Sequence, residues 1–159
     1  MKNIWAPWRI GYIKKTKQSG CIFCQAKKDK KDRNHFVLVR GKKSFSILNL
    51  YPYNNGHFLI CPNRHIKDIE ELDYQEVLDM FNILLTTKKI ITKILKPQGF
   101  NIGINCGRIS GAGIINHLHI HVVPRWSADT NFMPVVADTK IVSQSLKELF
   151  DEFKNNLKI

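Results

Sequence analysis

The sequence has no long apolar run and little negative charge. No segment approaches the roughly 20 consecutive apolar residues that a membrane-spanning helix needs. The opening MKNIWAPWRIGYIKKTK also lacks the apolar core and cleavage site of a secretory signal. We therefore expect a cytoplasmic protein without membrane partners. At 159 residues, 43% of them hydrophobic, the chain suits a domain with its own core and is too apolar for a disordered segment.

Acidic residues are scarce beside basic ones. The chain has 13 Asp and Glu against 25 Lys and Arg, giving a net charge of +12. Such a charge implies an anionic partner or a heavily solvated surface. The lysines are scattered, and no basic run is interleaved with aromatic residues, so nucleic acid is not the expected partner. A polyphosphate substrate would benefit from the same field through electrostatic steering.

Cysteine is also sparse, with four residues in all. Cys61 and Cys106 lie in apolar segments, where we expect buried small side chains. Cys21 and Cys24 form a C-x2-C pair. In a reducing compartment such a pair indicates metal binding or redox chemistry rather than a structural disulfide.

The order of predicted elements favours an α+β fold with an antiparallel sheet. A long helix is predicted behind Asp73, with Glu76 as its capping-box partner, and its apolar residues are expected to form one core-facing stripe. A C-terminal helix is predicted from Ser143. Four segments between turn residues are typical of strands: residues 36–40, 44–49, 57–61 and 100–106.

Two N-terminal segments have no clear periodicity. Residues 1–20 contain Trp5, Trp8 and Tyr12, which indicates an extended arm packing on the domain or on a partner subunit, or else a partly ordered terminus. Residues 21–35 begin with the cysteine pair and continue as a predicted charged loop.

The segment HLHIHVVP, residues 117–124, is the clearest chemical signal. His117, His119 and His121 alternate with apolar residues, which places them on one face of a predicted strand. Imidazole titrates near neutrality, so the row suggests acid–base, nucleophilic or metal chemistry. Same-face neighbours on a strand are about 6.6–6.8 Å apart, whereas zinc binds nitrogens at about 2.0–2.1 Å. One ion cannot readily collect all three, so we expect different roles for them.

The pattern HLHIHVV resembles the His-φ-His-φ-His-φ-φ motif of the histidine triad (HIT) superfamily of nucleotidyl hydrolases and transferases, where φ is apolar. The flanks WAPWR, NLYPYNNGHFLICPNRHI, FNIGINCG, GAGIINHLHIHVVPRW and DTNFMPVVADTK are similar to the bacterial branch near diadenosine tetraphosphate phosphorylases. The resemblance implies a five-stranded antiparallel sheet with one long helix and a C-terminal helix. It also implies an arm over residues 1–20, a single domain over residues 21–159 and a homodimer with a continuous sheet.

The resemblance implies a role for each catalytic histidine. His119 would be the nucleophile that attacks the α-phosphorus and forms a covalent nucleotidyl-histidine. Its opposite ring nitrogen would be held by a backbone carbonyl. His121 would donate a hydrogen bond to phosphate oxygens, and His57 would polarise the phosphate from the next strand.

The same resemblance assigns nucleotide contacts. Asn49 matches a ribose-binding position and Asn105 the asparagine before the glycine loop; alternatively, both are turn-forming residues. Amides of the loop GRISGAG could cradle polyphosphate, at Gly111, Ala112 and Gly113. Many members carry a polar pair just before the triad, but this chain does not. Ser110, Asn116 or backbone amides would therefore replace it, which leaves water or phosphate open as the acceptor.

A structural zinc site is also implied by the resemblance. In related bacterial members such a cysteine pair binds zinc with two histidines, which match His65 and His117 here. The set Cys21, Cys24, His65 and His117 would form a closed Cys2His2 site. An empty pair of thiols remains the alternative.

The predicted function is cleavage of a dinucleoside polyphosphate, above all diadenosine tetraphosphate, through an adenylyl-His119 intermediate. A phosphorylase resembling ATP adenylyltransferase is favoured over a hydrolase. Two alternatives stay open: a nucleoside phosphoramidase or broad nucleotide hydrolase at the same site, and a nucleotide- or nucleic-acid-binding module without turnover.

Overall fold

The computed structural model describes residues 20–107, 109–110, 113–127, 129 and 142–157. The predicted N-terminal arm, except Gly20, lies outside the described residues, as do Gly111 and Ala112 of the glycine loop. Within the described ranges, no helix is both long and apolar enough to cross a membrane.

The elements, in chain order, are α1 (Ile22–Asp29), α2 (Asp32–His35), β1 (Val37–Arg40), β2 (Ser44–Leu48), β3 (Phe58–Pro62), a short 3-10 helix (Ile69–Glu71), α3 (Tyr74–Leu95), β4 (Gly99–Ile104), β5 (Ile120–Arg125) and α4 (Leu146–Leu157).

The strands form one sheet in the order β1-β2-β3-β5-β4, and every neighbouring pair is antiparallel. The predicted α+β architecture, with a five-stranded antiparallel sheet, one long helix and a C-terminal helix, is confirmed. Strand β5 lies between β3 and β4, so that His121 is opposite Leu59 on one side and Gly103 on the other.

The two faces of the sheet carry different cores. On one face, α3 and α4 pack on strand residues to form the larger cluster: Leu38, Leu48, Phe58, Ile60, Ile120 and Val122 with Met80, Ile83, Leu84, Ile91, Leu149, Phe150 and Phe153. On the other face, Phe23 and Ala26 of α1 cover a smaller cluster: Val37, Phe45, Ile47, Leu59 and Cys61. Directly opposed residues share a face, so His121, opposite Leu59, lies on the smaller-cluster face.

Helix α3 begins as predicted. The Asp73 carboxylate accepts a hydrogen bond from the Glu76 amide at 2.7 Å, and the Glu76 carboxylate accepts one from the Asp73 amide at 3.0 Å. The predicted core stripe is only partly right, because Leu84 and Ile91 are buried but four of its residues are exposed: Val77, Leu78, Phe81 and Leu85. The apolar residues cover too wide an arc of the helix for a single sheet face to bury.

Three local predictions need correction. The charged loop expected at the end of residues 21–35 is occupied by the last turn of α1 and by α2. Phe23 and Ala26 are spaced to bury one face of α1 while its lysines stay in solvent. The last helix begins at Leu146 rather than Ser143, behind a capping box between Ser145 and Glu148. Cys106, two residues beyond β4, is exposed rather than buried.

Candidate functional site

The histidine segment enters the sheet only at Ile120, so His117 and His119 precede β5 instead of lying within it. The amide of Leu118 donates a hydrogen bond to the Ile66 carbonyl at 2.7 Å, which fixes this irregular approach. His119 and His121 remain neighbours, with ring centroids 4.8 Å apart. His117 instead turns to a different set of partners.

Those partners form a candidate metal centre with His117. Its Nδ1 lies 3.2 Å from Cys21 Sγ, 3.7 Å from Cys24 Sγ and 3.2 Å from His65 Nδ1. Cys24 Sγ is also 3.3 Å from His65 Nδ1. The four donor atoms all lie within 4.8 Å of one another. The structure thus brings together all four residues that the sequence nominated.

The donor set fits a tetrahedral zinc ion. Zn–S bonds of about 2.3 Å and Zn–N bonds of about 2.0–2.1 Å place neighbouring ligand atoms roughly 3.3–3.8 Å apart. Four of the distances given above, 3.2–3.7 Å, are close to this range, and the whole set lies within 4.8 Å. His117 Nε2 lies 3.0 Å from the Pro62 carbonyl oxygen, which can only accept a hydrogen bond. The neutral ring therefore carries its proton on Nε2 and directs the lone pair of Nδ1 at the cysteines.

His119 carries its proton on the other nitrogen. Its Nδ1 donates to the carbonyl oxygen of His117 at 2.8 Å, so Nε2 of the neutral ring has a free lone pair. Burial lowers the pKa of His119, against the opposing effect of the hydrogen bond to the His117 carbonyl. The ring is therefore neutral at neutral pH, and a neutral imidazole nitrogen is a competent nucleophile.

His57 and His121 form a hydrogen-bonded pair with a defined direction. The Tyr53 amide donates to His57 Nδ1 at 3.1 Å, which leaves the proton of the neutral ring on Nε2. That Nε2 donates to His121 Nδ1 at 3.0 Å, so His121 in turn carries its proton on Nε2. Among the described residues, His121 Nε2 is a buried polar atom without a hydrogen-bond partner. An anionic oxygen beside His119 would supply the missing acceptor.

Burial keeps this pair neutral. It lowers the pKa of His57 to about 3, and repulsion from His121 and His119 acts in the same direction. Burial also lowers the pKa of His121 to about 4, again reinforced by His119. At neutral pH the donor on His121 is therefore a neutral N–H whose position is set by His57.

The proposed nucleotide contacts are placed less uniformly. Asn49, just past β2, has its Nδ2 3.2 Å from His57 Nδ1, while its Oδ1 accepts the Tyr51 amide at 3.0 Å. It therefore adjoins the histidines and also starts the turn, as the second interpretation expects, while its contact with a ribose stays a prediction. Asn105, just beyond β4, forms no side-chain hydrogen bond with another described residue. Gly113 is exposed.

Ser110 and Asn116 are the side chains that the sequence offered in place of the missing polar pair. The Ser110 hydroxyl donates to the Gly107 carbonyl at 2.7 Å and so closes a turn within the glycine loop. Asn116 is exposed directly before the triad. The structure assigns neither of them a contact with the triad imidazoles.

Phe23 joins the metal cluster to the nucleophile, and the sequence analysis missed it. Its ring centroid lies 5.1 Å from that of His117 and 5.4 Å from that of His119. It is buried on α1, between the two cysteines in sequence. Its place inside the C-x2-C pair is the signal that could have identified it.

The loop between β2 and β3 is anchored from a distance, which was also missed. Asn54, which is buried, donates through Nδ2 to the Pro124 carbonyl at 2.9 Å and to Asp129 at 2.8 Å. Arg125 also pairs with Asp129 and, with these hydrogen bonds, holds the pKa of that carboxyl well below its usual range. The Asn54 carbonyl accepts the His57 amide at 3.1 Å, so this anchor supports His57 directly.

Comparisons with known proteins show what this chain is similar to. The sequence model of the HIT domain matches residues 30–128. An AP-4-A phosphorylase of Mycobacterium tuberculosis is 32% identical over 156 residues, covering 93% of this chain and 80% of that protein. An asymmetrical bis(5′-nucleosyl)-tetraphosphatase of Schizosaccharomyces pombe is 32% identical over 93 residues, covering 58% of this chain and 50% of that protein.

A solved structure shows the same fold. The Zn-bound histidine triad family protein of Mycobacterium smegmatis superposes with a TM-score of 0.69 at 23% identity, covering 87% of this chain and 94% of that one.

Proposed function

Because the chain belongs to the HIT domain family, we propose that it is an enzyme that cleaves dinucleoside polyphosphates, with diadenosine tetraphosphate as the main substrate. Residues 21–159 form its single catalytic domain. One observation carries the proposal: the ring of His119, whose Nε2 lone pair is free, lies 4.8 Å between centroids from the ring of His121, whose Nε2–H has no partner among the described residues. A nucleophile and an anion-binding donor are the two groups that attack on a phosphate requires.

The reaction proceeds in two displacements. His119 Nε2 attacks the α-phosphorus, the bond to the bridging oxygen breaks, and the remaining polyphosphate leaves with the electron pair. The acceptor then attacks the nucleotidyl-histidine and restores the free imidazole. The His121 N–H donates to a phosphate oxygen in both steps, where negative charge builds up.

The role that we propose for His57 differs from the one that the resemblance implies. Both of its ring nitrogens are engaged inside the protein, and the side chain is fully buried. It therefore acts through His121 as a positioning residue instead of polarising the phosphate itself.

Zinc at Cys21, Cys24, His65 and His117 is part of this proposal. The fit of the donor distances supports it, as does the Zn-bound relative of the same fold. Four protein ligands leave no open coordination position, so the ion would supply structural cross-linking. This chain's Phe23 then transmits the position of α1 to His119.

Phosphate is the proposed acceptor, because the relative at 32% identity that spans most of the chain is named a phosphorylase. The test is an assay of labelled diadenosine tetraphosphate with and without phosphate, separating ADP, ATP and AMP. We expect phosphate-dependent ADP together with ATP. Formation of AMP in the absence of phosphate would show that water, and not phosphate, is the acceptor. No cleavage, with turnover of adenosine 5′-phosphoramidate alone, would contradict the proposal and favour a phosphoramidase.

The proposed assembly is a homodimer through β4. This strand forms the edge of the sheet, and two of its apolar side chains are exposed, Ile102 to 51% and Ile104 to 37%. Unpaired edge strands with apolar side chains pair readily with another chain. Sedimentation velocity should show a dimer for the wild type and a monomer for Ile102→Lys. A wild-type monomer at micromolar concentration would contradict this assembly.

A further inference from the structure

The ring of Tyr53 forms the outer wall of the histidine pair. It lies parallel to the His121 ring, with an interplanar angle of 7° and centroids 5.9 Å apart. It also contacts the His57 ring at 4.7 Å. Tyr53 is nevertheless 54% exposed. Because the imidazoles cover one side of the phenol ring, the exposed part includes its opposite face.

The loop that carries Tyr53 is held in place on both sides. The buried Asn54 anchors it to Pro124 and Asp129, and Asn55 donates to Gln144 at 3.1 Å. Gly56 has a φ of 73°, and a Cβ there would come within 2.5 Å of Leu95 Cδ1. The exposed aromatic face is thus presented by a fixed loop, which lowers the entropic cost of binding to it.

The chemistry of this face selects its ligand. The face of an aromatic ring carries negative electrostatic potential and does not attract phosphate oxygens. A nucleobase offers a flat, uncharged π-surface, and such bases stack on tyrosine rings irrespective of their sequence. A base is therefore the part of a dinucleoside polyphosphate that Tyr53 suits.

The position of the ring indicates which base. The Tyr53 ring lies 5.9 Å from the His121 ring, which in turn lies 4.8 Å from the His119 ring. A phosphate chain that starts at His119 and passes the His121 N–H brings its far nucleoside towards this wall. We propose that Tyr53 is the stacking platform for the base of the leaving nucleotide, an assignment that rests on the proposed function. The site thereby selects substrates with a nucleoside at both ends of the polyphosphate.

The test compares two substrates that differ in the second nucleoside. Diadenosine tetraphosphate has it, and adenosine 5′-tetraphosphate has the same phosphate chain without it. Tyr53→Ala should lower kcat/KM for diadenosine tetraphosphate about 5- to 100-fold and change that for adenosine 5′-tetraphosphate by less than about threefold. Tyr53→Trp should retain the preference for two nucleosides, because it keeps a stacking face.

The matched control is Tyr74→Ala, which removes an exposed tyrosine at the start of α3. It should leave kcat/KM unchanged on both substrates. An equal loss on both substrates in Tyr53→Ala would mean that the ring only supports the histidines, and no loss on either would mean that it stacks with nothing. Either result overturns the assignment.

A binding measurement separates this assignment from the proposed reaction. In a His119→Ala background, Kd for each of the two ligands is measured with Tyr53 intact and with Tyr53→Ala. We expect the substitution to weaken the binding of diadenosine tetraphosphate and to leave the binding of adenosine 5′-tetraphosphate nearly unchanged. If the wild type cleaves neither compound, the proposed function fails, while the binding ratio still decides whether Tyr53 stacks on a base. If the ratio of the two Kd values is the same with Tyr53 intact and with Tyr53→Ala, the stacking assignment is overturned, whether or not the wild type cleaves either compound.

Discussion

The two ends of the histidine triad use the same side chain in opposite ways. At the His117 end, the proton on Nε2 is donated to the Pro62 carbonyl. The lone pair of Nδ1 lies beside two thiols and another imidazole. At the His121 end, the lone pair accepts from His57, and the ring proton lacks a partner among the described residues. One end therefore offers an electron pair, the group that binds a cation, and the other offers a proton, the group that binds an anion.

The difference shows that the partner of the second ring nitrogen determines what each imidazole does. All three triad histidines have pKa values lowered by burial, so burial alone does not distinguish them. The choice of tautomer does, because a neutral imidazole has one donor and one acceptor. His119 lies between the two ends, and its Nδ1 donates to the backbone carbonyl of His117.

Removing His119, which lies between the two ends, should have the largest effect. His119→Ala should lower kcat for diadenosine tetraphosphate by more than about 10³-fold, because it removes the proposed nucleophile. The zinc content and the pair at His121 should persist. His35→Ala is the matched control, since His35 pairs with Asp29 away from the site. If His119→Ala keeps activity within tenfold of wild type, His119 is not the nucleophile.

Disrupting the proposed zinc site at the His117 end should mainly lower the stability of the fold. Cys24→Ser should abolish stoichiometric zinc binding and lower the free energy of unfolding by about 4 kcal/mol at a zinc concentration a thousand times Kd. Metal analysis and denaturant titration measure these changes. Cys106→Ser, at an exposed thiol outside the cluster, is the control and should change neither. Equal zinc content in wild type and Cys24→Ser would contradict a zinc site at these four residues.

Breaking the other end should act on the rate instead. His57→Ala removes the donor that fixes the proton of His121, so kcat should fall about 100-fold through misplacement of that donor. KM and zinc content should hardly change. His57→Gln keeps an amide N–H and should restore part of the rate. A change in KM alone would indicate that His57 touches substrate directly.

The smallest effect is a dependence of stability on pH. His57 and His121 have folded-state pKa values of about 3 and about 4, below the ordinary value of 6.5. The unfolded chain therefore binds more protons between these values and pH 6.5. The stabilising contribution of the pair is complete above pH 6.5. It is lost as the pH falls to about 4 for His121 and to about 3 for His57. Denaturant titrations should show a shallower decline for His121→Gln than for wild type, and parallel curves would contradict the pairing.

Local sequence patterns predicted the parts of this structure that depend on neighbours. The capping box of Asp73 and Glu76 is contained in four residues, and it forms as expected. Helix α1 was missed, because its apolar residues are few and its lysines give the segment the composition of a loop. The wide apolar arc of α3 gave no indication of which part the sheet would cover.

The site divides in the same way. The motif identified the histidines, but not that His117 would leave the strand, since this depends on Ile66 and on cysteines 93 and 96 residues away. The role of Asn54 depends on Asp129, 75 residues later. The resemblance implied a backbone carbonyl at one ring nitrogen of His119, but the tautomers of the other three histidines could not be predicted. They depend on which carbonyl, amide or ring nitrogen faces each ring.

The spacing of the four proposed metal ligands bears on how the chain folds during synthesis. Cys21 and Cys24 leave the ribosome long before His117, which is 96 residues beyond Cys21. The sheet between them must form first, because β2 and β3 determine where His65 and the Pro62 carbonyl lie. Contacts so distant in sequence form late. We therefore expect zinc to be captured as the last event of folding, so that metal content reports completed molecules.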